Sequence, residues 1–273
     1  MLIEHYFSQL LAFSSTPHCQ SLLQRQHLTA ADLLLPPPAG IRQDGFPDDI
    51  TLARLCSDCY HPGSRDIGGV SRSDPQTLAS LSLTEEQLSS PSGLQSMIYH
   101  YRDTGILAFA GSNDMSDMMT NIRQGRGLPA RQYQEAVSLA AHLLSQSVCP
   151  WLFVGHSLGG GLASFCAVVL QQPAVIFNAA GLAENTLAEE GVSLVTARAR
   201  GAELIRHYVL EHDWLTHIQD GLDLPKALGQ RIALEYYPPQ HAHSVLQKLV
   251  LGVKAHTLSQ VVTAMEQMDE TRE

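Results

Sequence analysis

From about residue 46 onward, apolar residues fall into two alternating rhythms. "DDITLARLCSDCY" (48–60) opens on acidic residues and spaces its apolar positions three and four apart, which predicts a helix. Residues 62–93 are rich in Ser, Gly and Pro and predict an irregular stretch with one short helix at "SLTEEQLSS". "LQSMIYHYRDTGILAFAG" (94–111) places two apolar runs around Asp103-Thr104-Gly105, a hairpin signal. "LPARQYQEAVSLAAHLLSQS" predicts a long amphipathic helix, "PWLFVG" a strand buried on both faces, and "HSLGGGLASFCAVVLQQ" the helix after it. "AVIFNAA", "LIRHYVL" and "RIALEYY" read as further core strands, and "TLSQVVTAMEQM" as a last helix. Strands alternating with helices give an α/β fold with a mostly parallel sheet.

The first 40 residues differ. Leu2, Ile3, Tyr6, Phe7, Leu10 and Leu11 form a helical stripe, and "LLLPPPAG" ends the segment at a proline-rich boundary. The expected organisation is a helical extension over 1–40 and a catalytic domain over 41–273. The stripe is either a targeting element or a helix packed on the main domain. It lacks a basic leader and an unbroken apolar run, so a Sec signal is not expected.

Composition narrows the function. A formal charge of −10 argues against nucleic acid, whose phosphates need a cationic surface. It leaves apolar contact with a membrane surface open. No apolar run is long enough for a membrane-spanning helix. The five cysteines are irregularly spaced and odd in number, so no disulfide framework is expected. Cys56-Ser-Asp-Cys59 lacks a second ligand pair and reads as two small residues packed inward from one helix face.

The chemistry starts at Gly155-His156-Ser157-Leu158-Gly159. A strand runs into a serine fenced by glycines and a helix begins at once, the context of a nucleophile elbow. The alternative is a tight turn with Ser157 as a plain helix cap. Side chains two residues either side of so sharp a turn would collide with strand and helix, and glycine removes the collision. The Leu158 amide faces the positive end of the new helix, which suits an oxyanion. His156 is expected to pack beside the strand.

A serine needs a base, and the base an orienting acid. In chain order Ser, acid, His, the acid follows a late strand. Glu211 and Asp213 both follow "LIRHYVL", and Asp213 is preferred, its plainer role being a cap on the helix begun by "WLTHIQ". His241, His243 and His256 all lie after the last expected strand. Position alone leaves His243 and His256 close. Ser112, just past the strand ending at Gly111, is the candidate second oxyanion donor, its alternative an ordinary turn.

"ILAFAGSNDMSDMMTNI", "VGHSLGGGLA", "VIFNAAGL", "EHDWLTHIQ" and "AHTLSQVVTAMEQ" together resemble bacterial class 3 lipase-like proteins, most of all the secreted enterobacterial phospholipase A1 group. The resemblance covers Asp49 to Glu266. It implies an α/β-hydrolase fold, hydrolysis of lipid carboxylic esters, and the roles of nucleophile for Ser157, triad acid for Asp213 and triad histidine for His256. It sets His256 above His243 and gives Ser112 the oxyanion role. Two positions depart from the family pattern: Ala110 stands for its arginine and Met118 for its tryptophan. Met115, Met118 and Met119 suit either core or a lid over acyl chains.

The resulting expectation is a serine esterase, a phospholipase A1 in particular, that needs no metal or organic cofactor. Its partners are a phospholipid or other lipid ester and, transiently, a membrane surface. The resemblance leaves room for an accessory or immunity protein, and for export by a flagellar, type III or type VI route after a cytoplasmic stage. The rival readings are a triacylglycerol lipase or general esterase and, in another class, an inactive binding protein on a hydrolase scaffold.

Overall fold

The computed structural model describes residues 45–60, 66–111, 130–147, 149–222, 224–236 and 245–270. The extension expected over 1–40 lies outside them, as do Ser112, Met115, Met118, Met119, His241 and His243.

Eight strands form one sheet in chain order: β1 (Asp66–Ile67), β2 (Val70–Arg72), β3 (Ser96–Tyr101), β4 (Thr104–Phe109), β5 (Trp151–His156), β6 (Ala174–Phe177), β7 (Ile205–Leu210) and β8 (Gln230–Leu234). β1 to β4 pair antiparallel, and β4 to β8 pair parallel. Crossover helices connect the parallel strands and cover one face of the sheet, while helices before β4 and after β8 cover the other, so the parallel strands are buried on both sides.

Period-two alternation sorts the strand side chains. Leu107 and Phe109 of β4, Trp151 and Phe153 of β5, and Ala174 and Ile176 of β6 enter one apolar core. Their neighbours Ile106, Ala108, Leu152, Val154, Val175 and Phe177 enter a second, on the opposite face. The first core is closed by α3 (Ala130–Gln146), α4 (Leu158–Leu170) and α6 (Leu194–Leu204). The second is closed by α1 (Asp49–Tyr60) and the last helix, α9 (Leu258–Glu270), which pack against each other. Cys56 and Cys59 lie buried on the inner face of α1, as their spacing implied, and burial pushes the Cys59 thiol up to about 12.

Among the described residues the remaining helices are α2 (Pro75–Ser80), α5 (Glu184–Glu189), α7 (Trp214–Gly221) and α8 (Val245–Ala255). Some local expectations shift. The β3–β4 turn is Arg102-Asp103 rather than Asp103-Thr104-Gly105, since Tyr101 pairs with Thr104 and Arg102 takes the left-handed conformation with φ 52°. The described part of the stretch over 62–93, residues 66–93, holds the β1–β2 hairpin, α2 and a 3₁₀ turn at Glu85–Leu88. Helix α6 has no apolar stripe to read, because Ala197 and Gly201 are the residues it buries.

Candidate active site

Ser157 follows β5 directly and is the residue before α4, with φ 57° and ψ −125°. That conformation is disfavoured for any residue with a side chain, so surrounding structure must hold it. The backbone of β6 and its exit does so. Ser157 N–H donates to Phe177 O at 3.1 Å, and Ser157 O accepts the Ala180 amide at 2.9 Å. A Cβ on Gly155 would fall on the Gly159 carbonyl, and one on Gly159 would fall on the carbonyl of Phe109. The glycine fence is therefore a packing requirement between β5, α4 and β4. Ser157 occupies the cap position of α4, yet its side chain makes no capping bond.

The hydroxyl is directed elsewhere. Ser157 Oγ lies 3.0 Å from His256 Nε2, and His256 Nδ1 lies 2.6 Å from Asp213 Oδ1. A carboxylate only accepts, so Nδ1 carries the proton and Nε2 presents its lone pair to the serine O–H. All three side chains are buried, Asp213 at 2% exposure and His256 at 3%.

Asp213 sits three residues past β7, and its second oxygen accepts the Thr216 amide at 2.8 Å, capping α7. The capping role and the contact with His256 are thus made by one carboxylate. Burial by itself would raise its pKa. The charge of His256 and the hydrogen bonds from His256 and Thr216 outweigh burial and hold it below the usual carboxylate value. Glu211 points away: its side chain is exposed, 3.8 Å from His212.

His256 occupies the joint between α8 and α9, and the Trp214 ring packs beside it at 5.3 Å between centroids. The last carbonyls of any helix lack intrahelical donors. Here Asn178 Nδ2 donates to Ala255 O at 3.0 Å, and His156 Nε2 approaches His256 O at 2.6 Å. Asn178 Oδ1 also accepts the Leu210 amide at 2.9 Å, so one side chain joins the end of β7, near Asp213, to the joint carrying His256. Sequence reasoning passed over Asn178. The available signal was a polar residue ending the apolar run "AVIF".

His156 packs beside its strand, as expected, but it is hydrogen-bonded at both ring nitrogens. Burial first, and the nearby His256 second, lower its pKa to about 3. His207 on β7 is buried too, accepts the Ala179 amide at 3.2 Å, and is likewise lowered to about 3, mainly by burial.

The Leu158 amide is the first of α4, one of the four that an α-helix leaves without an internal acceptor. The exit of β4 runs past the nucleophile: a Cβ on Gly111 would lie 3.2 Å from Ser157 Cβ. Ser112, the next residue, is outside the described part. Among the described residues, no cluster of His, Cys, Asp and Glu forms a metal-binding group.

This arrangement can perform nucleophilic acyl transfer: a serine, a base within reach, an acid behind the base, and a helix N-terminus at the serine. Comparison with known proteins agrees. Residues 51–269 match the phospholipase-like family described as the Tle-like phospholipase domain. The chain is 32% identical over 231 residues to the extracellular phospholipase A1 of Serratia liquefaciens, covering 80% of this chain and 70% of that one. Among solved structures, it is similar to a deletion mutant of Rhizomucor miehei lipase in its propeptide complex, with TM-score 0.50 and 14% identity. That match covers 80% of this chain and 79% of the lipase, and speaks to fold alone. The fold is that of the α/β hydrolases, as the resemblance implied.

Proposed function

Because the chain belongs to the Tle-like phospholipase family, and is a lipid-ester hydrolase by that membership, we propose that it is a phospholipase A1 acting through Ser157, His256 and Asp213. The observation that carries the reading is the continuous row of contacts from Ser157 Oγ through the His256 ring to Asp213, at 3.0 and 2.6 Å.

In this mechanism Ser157 Oγ bonds to the sn-1 carbonyl carbon while its proton passes to His256 Nε2. Asp213 holds the imidazole in the required tautomer and stabilises the imidazolium. The oxyanion receives the Leu158 amide, with Ser112 as the second donor. Collapse breaks the ester C–O bond, and His256 returns the proton to the departing lysophospholipid alkoxide. Water, deprotonated by His256, then attacks the acyl-enzyme, and His256 passes that proton to Ser157 Oγ as the Oγ–acyl bond breaks and the fatty acid leaves. Each proton has a named carrier, so the cycle asks for no metal or cofactor.

The extracellular relative supports secretion of this chain, and the net charge of −10 suits an approach to lipid through apolar contact rather than charge. Mass spectrometry of products from mixed diacyl phospholipids and triacylglycerol tests the proposal. A phospholipase A1 yields 2-acyl lysophospholipid and the sn-1 fatty acid. Release of sn-2 acid, or of diacylglycerol in preference, overturns the assignment. Loss of both fluorophosphonate labelling and acyl release in Ser157→Ala tests the nucleophile.

A further inference from the structure

Tyr60, the last residue of α1, sits 96 positions before His156 and plays no part in the chemistry described so far. Its hydroxyl nevertheless lies between two parts of the site. It accepts the Gly111 amide at 2.8 Å, at the exit of β4, and it lies 3.1 Å from His156 Nδ1. The other ring nitrogen of His156 lies 2.6 Å from the carbonyl oxygen of His256.

Donor and acceptor chemistry orders the protons in this chain. A carbonyl only accepts, so His156 Nε2 must carry a hydrogen. A second hydrogen on Nδ1 would make His156 a cation in a buried setting beside His256, with ring centroids 4.7 Å apart. Nδ1 therefore carries a lone pair and accepts from Tyr60, being the nearer of the two acceptors that hydroxyl meets, at 3.1 Å against 3.4 Å for the His156 carbonyl oxygen. Every bond then runs in one direction: Gly111 N–H to Tyr60, Tyr60 O–H to His156, His156 N–H to His256 O. A second feature marks the same hydroxyl as part of the site's shape. A Cβ on Gly111 would collide with it, so the tyrosine oxygen fills the space a side chain at 111 would take.

Building on the proposed triad, we infer that Tyr60 and His156 are positioning residues: a polar strut tying the segment that leads to Ser112 to the backbone of the catalytic histidine. The strut runs through the residue before Ser157 and holds the exit of β4 and the base in a common register. Transition-state stabilisation needs both sides in place together, and a misplacement of about 1 Å costs on the order of 100-fold in rate.

The test uses the full-length protein, with competent sites counted by fluorophosphonate titration so that kcat is expressed per titrated Ser157. Tyr60→Phe removes one oxygen, and it is expected to lower per-site kcat roughly 10- to 100-fold with KM changed by less than about twofold. His156→Gln keeps an amide N–H near the place of Nε2, whereas His156→Met has similar length and no donor. The glutamine variant is expected to retain more per-site kcat than the methionine variant. Adding Tyr60→Phe to His156→Met should cost little more, because the strut is already broken. In ¹⁵N-histidine spectra, the unprotonated Nδ1 resonance of His156 should move in Tyr60→Phe.

Wild-type per-site kcat in Tyr60→Phe, or equal rates in the glutamine and methionine variants, overturns the inference while labelling leaves the triad standing. A loss confined to the titratable fraction also overturns it, since that is a purely structural effect. If Tyr60→Phe does not fold, the His156 pair carries the same decision. An unlabelled Ser157 in folded wild type strikes instead at the triad beneath the inference.

Discussion

Asp213 meets His256 with one carboxylate oxygen, at 2.6 Å, while its other oxygen accepts the Thr216 amide at 2.8 Å. Orientation of the base is therefore tied to the start of α7. The two functions can be separated by substitution. In Asp213→Asn the side-chain amide oxygen can still accept from Thr216, but the charge is gone and the tautomer of His256 is no longer enforced. Turnover is expected to fall by about 10⁴, the scale seen when a triad aspartate becomes asparagine, with stability little changed. Asp213→Ala should lose the cap as well, at about 0.5–2 kcal/mol. Denaturant titration beside initial rates distinguishes the two variants.

The strained backbone at Ser157 predicts a stability gain on removing the nucleophile. With φ 57° and ψ −125°, a side chain at 157 sits in a disfavoured conformation that glycine adopts freely. Both Ser157→Gly and Ser157→Ala should be inactive, and the glycine variant is expected to be the more stable by about 1–2 kcal/mol. Urea unfolding midpoints of the two inactive proteins make the comparison without interference from turnover.

Asn178 links the Leu210 amide to the Ala255 carbonyl, and neither contact tolerates a change of polarity. Asn178→Asp keeps the acceptor for Leu210 but places a carboxylate oxygen against the Ala255 carbonyl, which can only repel it. The expected result is a destabilisation of about 1–3 kcal/mol and a lower kcat, as the joint bearing His256 loses its anchor. Asn178→Ala leaves both backbone groups unpaired and should be the more damaging to stability. Thermal denaturation and kcat per titrated site report the two effects.

Acid sensitivity follows from the buried histidines. His156 and His207 are held near pKa 3 in the folded chain, chiefly by burial, against about 6.5 when unfolded. Between those values the unfolded chain binds more protons than the folded one, so stability falls as pH falls below about 6.5 and is flat above it. Each group contributes a slope of up to about 1.4 kcal/mol per pH unit, and His100, also lowered by burial, acts in the same direction. Asp213 has the usual carboxylate sign. Its stabilisation is present above the unfolded value of about 3.9 and is lost only as pH falls toward its lower folded value. Urea midpoints should be level from pH 7.5 to about 6.5 and drop from there to pH 5, and His207→Gln should flatten the slope. An unchanged slope in that variant rejects the account.

Gly155 and Gly159 stand where β5, α4 and β4 come closest, and a methyl at either would overlap backbone rather than a movable side chain. Alanine at either position is expected to cost about 3 kcal/mol or more, seen as loss of soluble protein or of a cooperative unfolding transition.

The turn at Ser157 and the succession of β3 to β8 along the chain were written in the sequence itself, because both depend on short-range physics. Glycine sterics act over two residues, and strand periodicity acts over six. Helix α6 escaped that reading since it buries Ala197 and Gly201 instead of an apolar stripe, and the β1–β2 hairpin escaped it since strands of two and three residues have no period to detect. The resemblance ranked His256 over His243, and Asp213 was preferred over Glu211, before any contact was known. Only the packed chain brings Ser157, Asp213 and His256 within hydrogen-bonding distance, and only it brings in Tyr60 and Asn178. Those bonds span between 32 and 100 residues, and a long-range hydrogen bond leaves no spacing to read along the chain. It is created when the sheet sets β4 to β7 side by side and delivers their carboxyl ends, with the joint after α8, to one place.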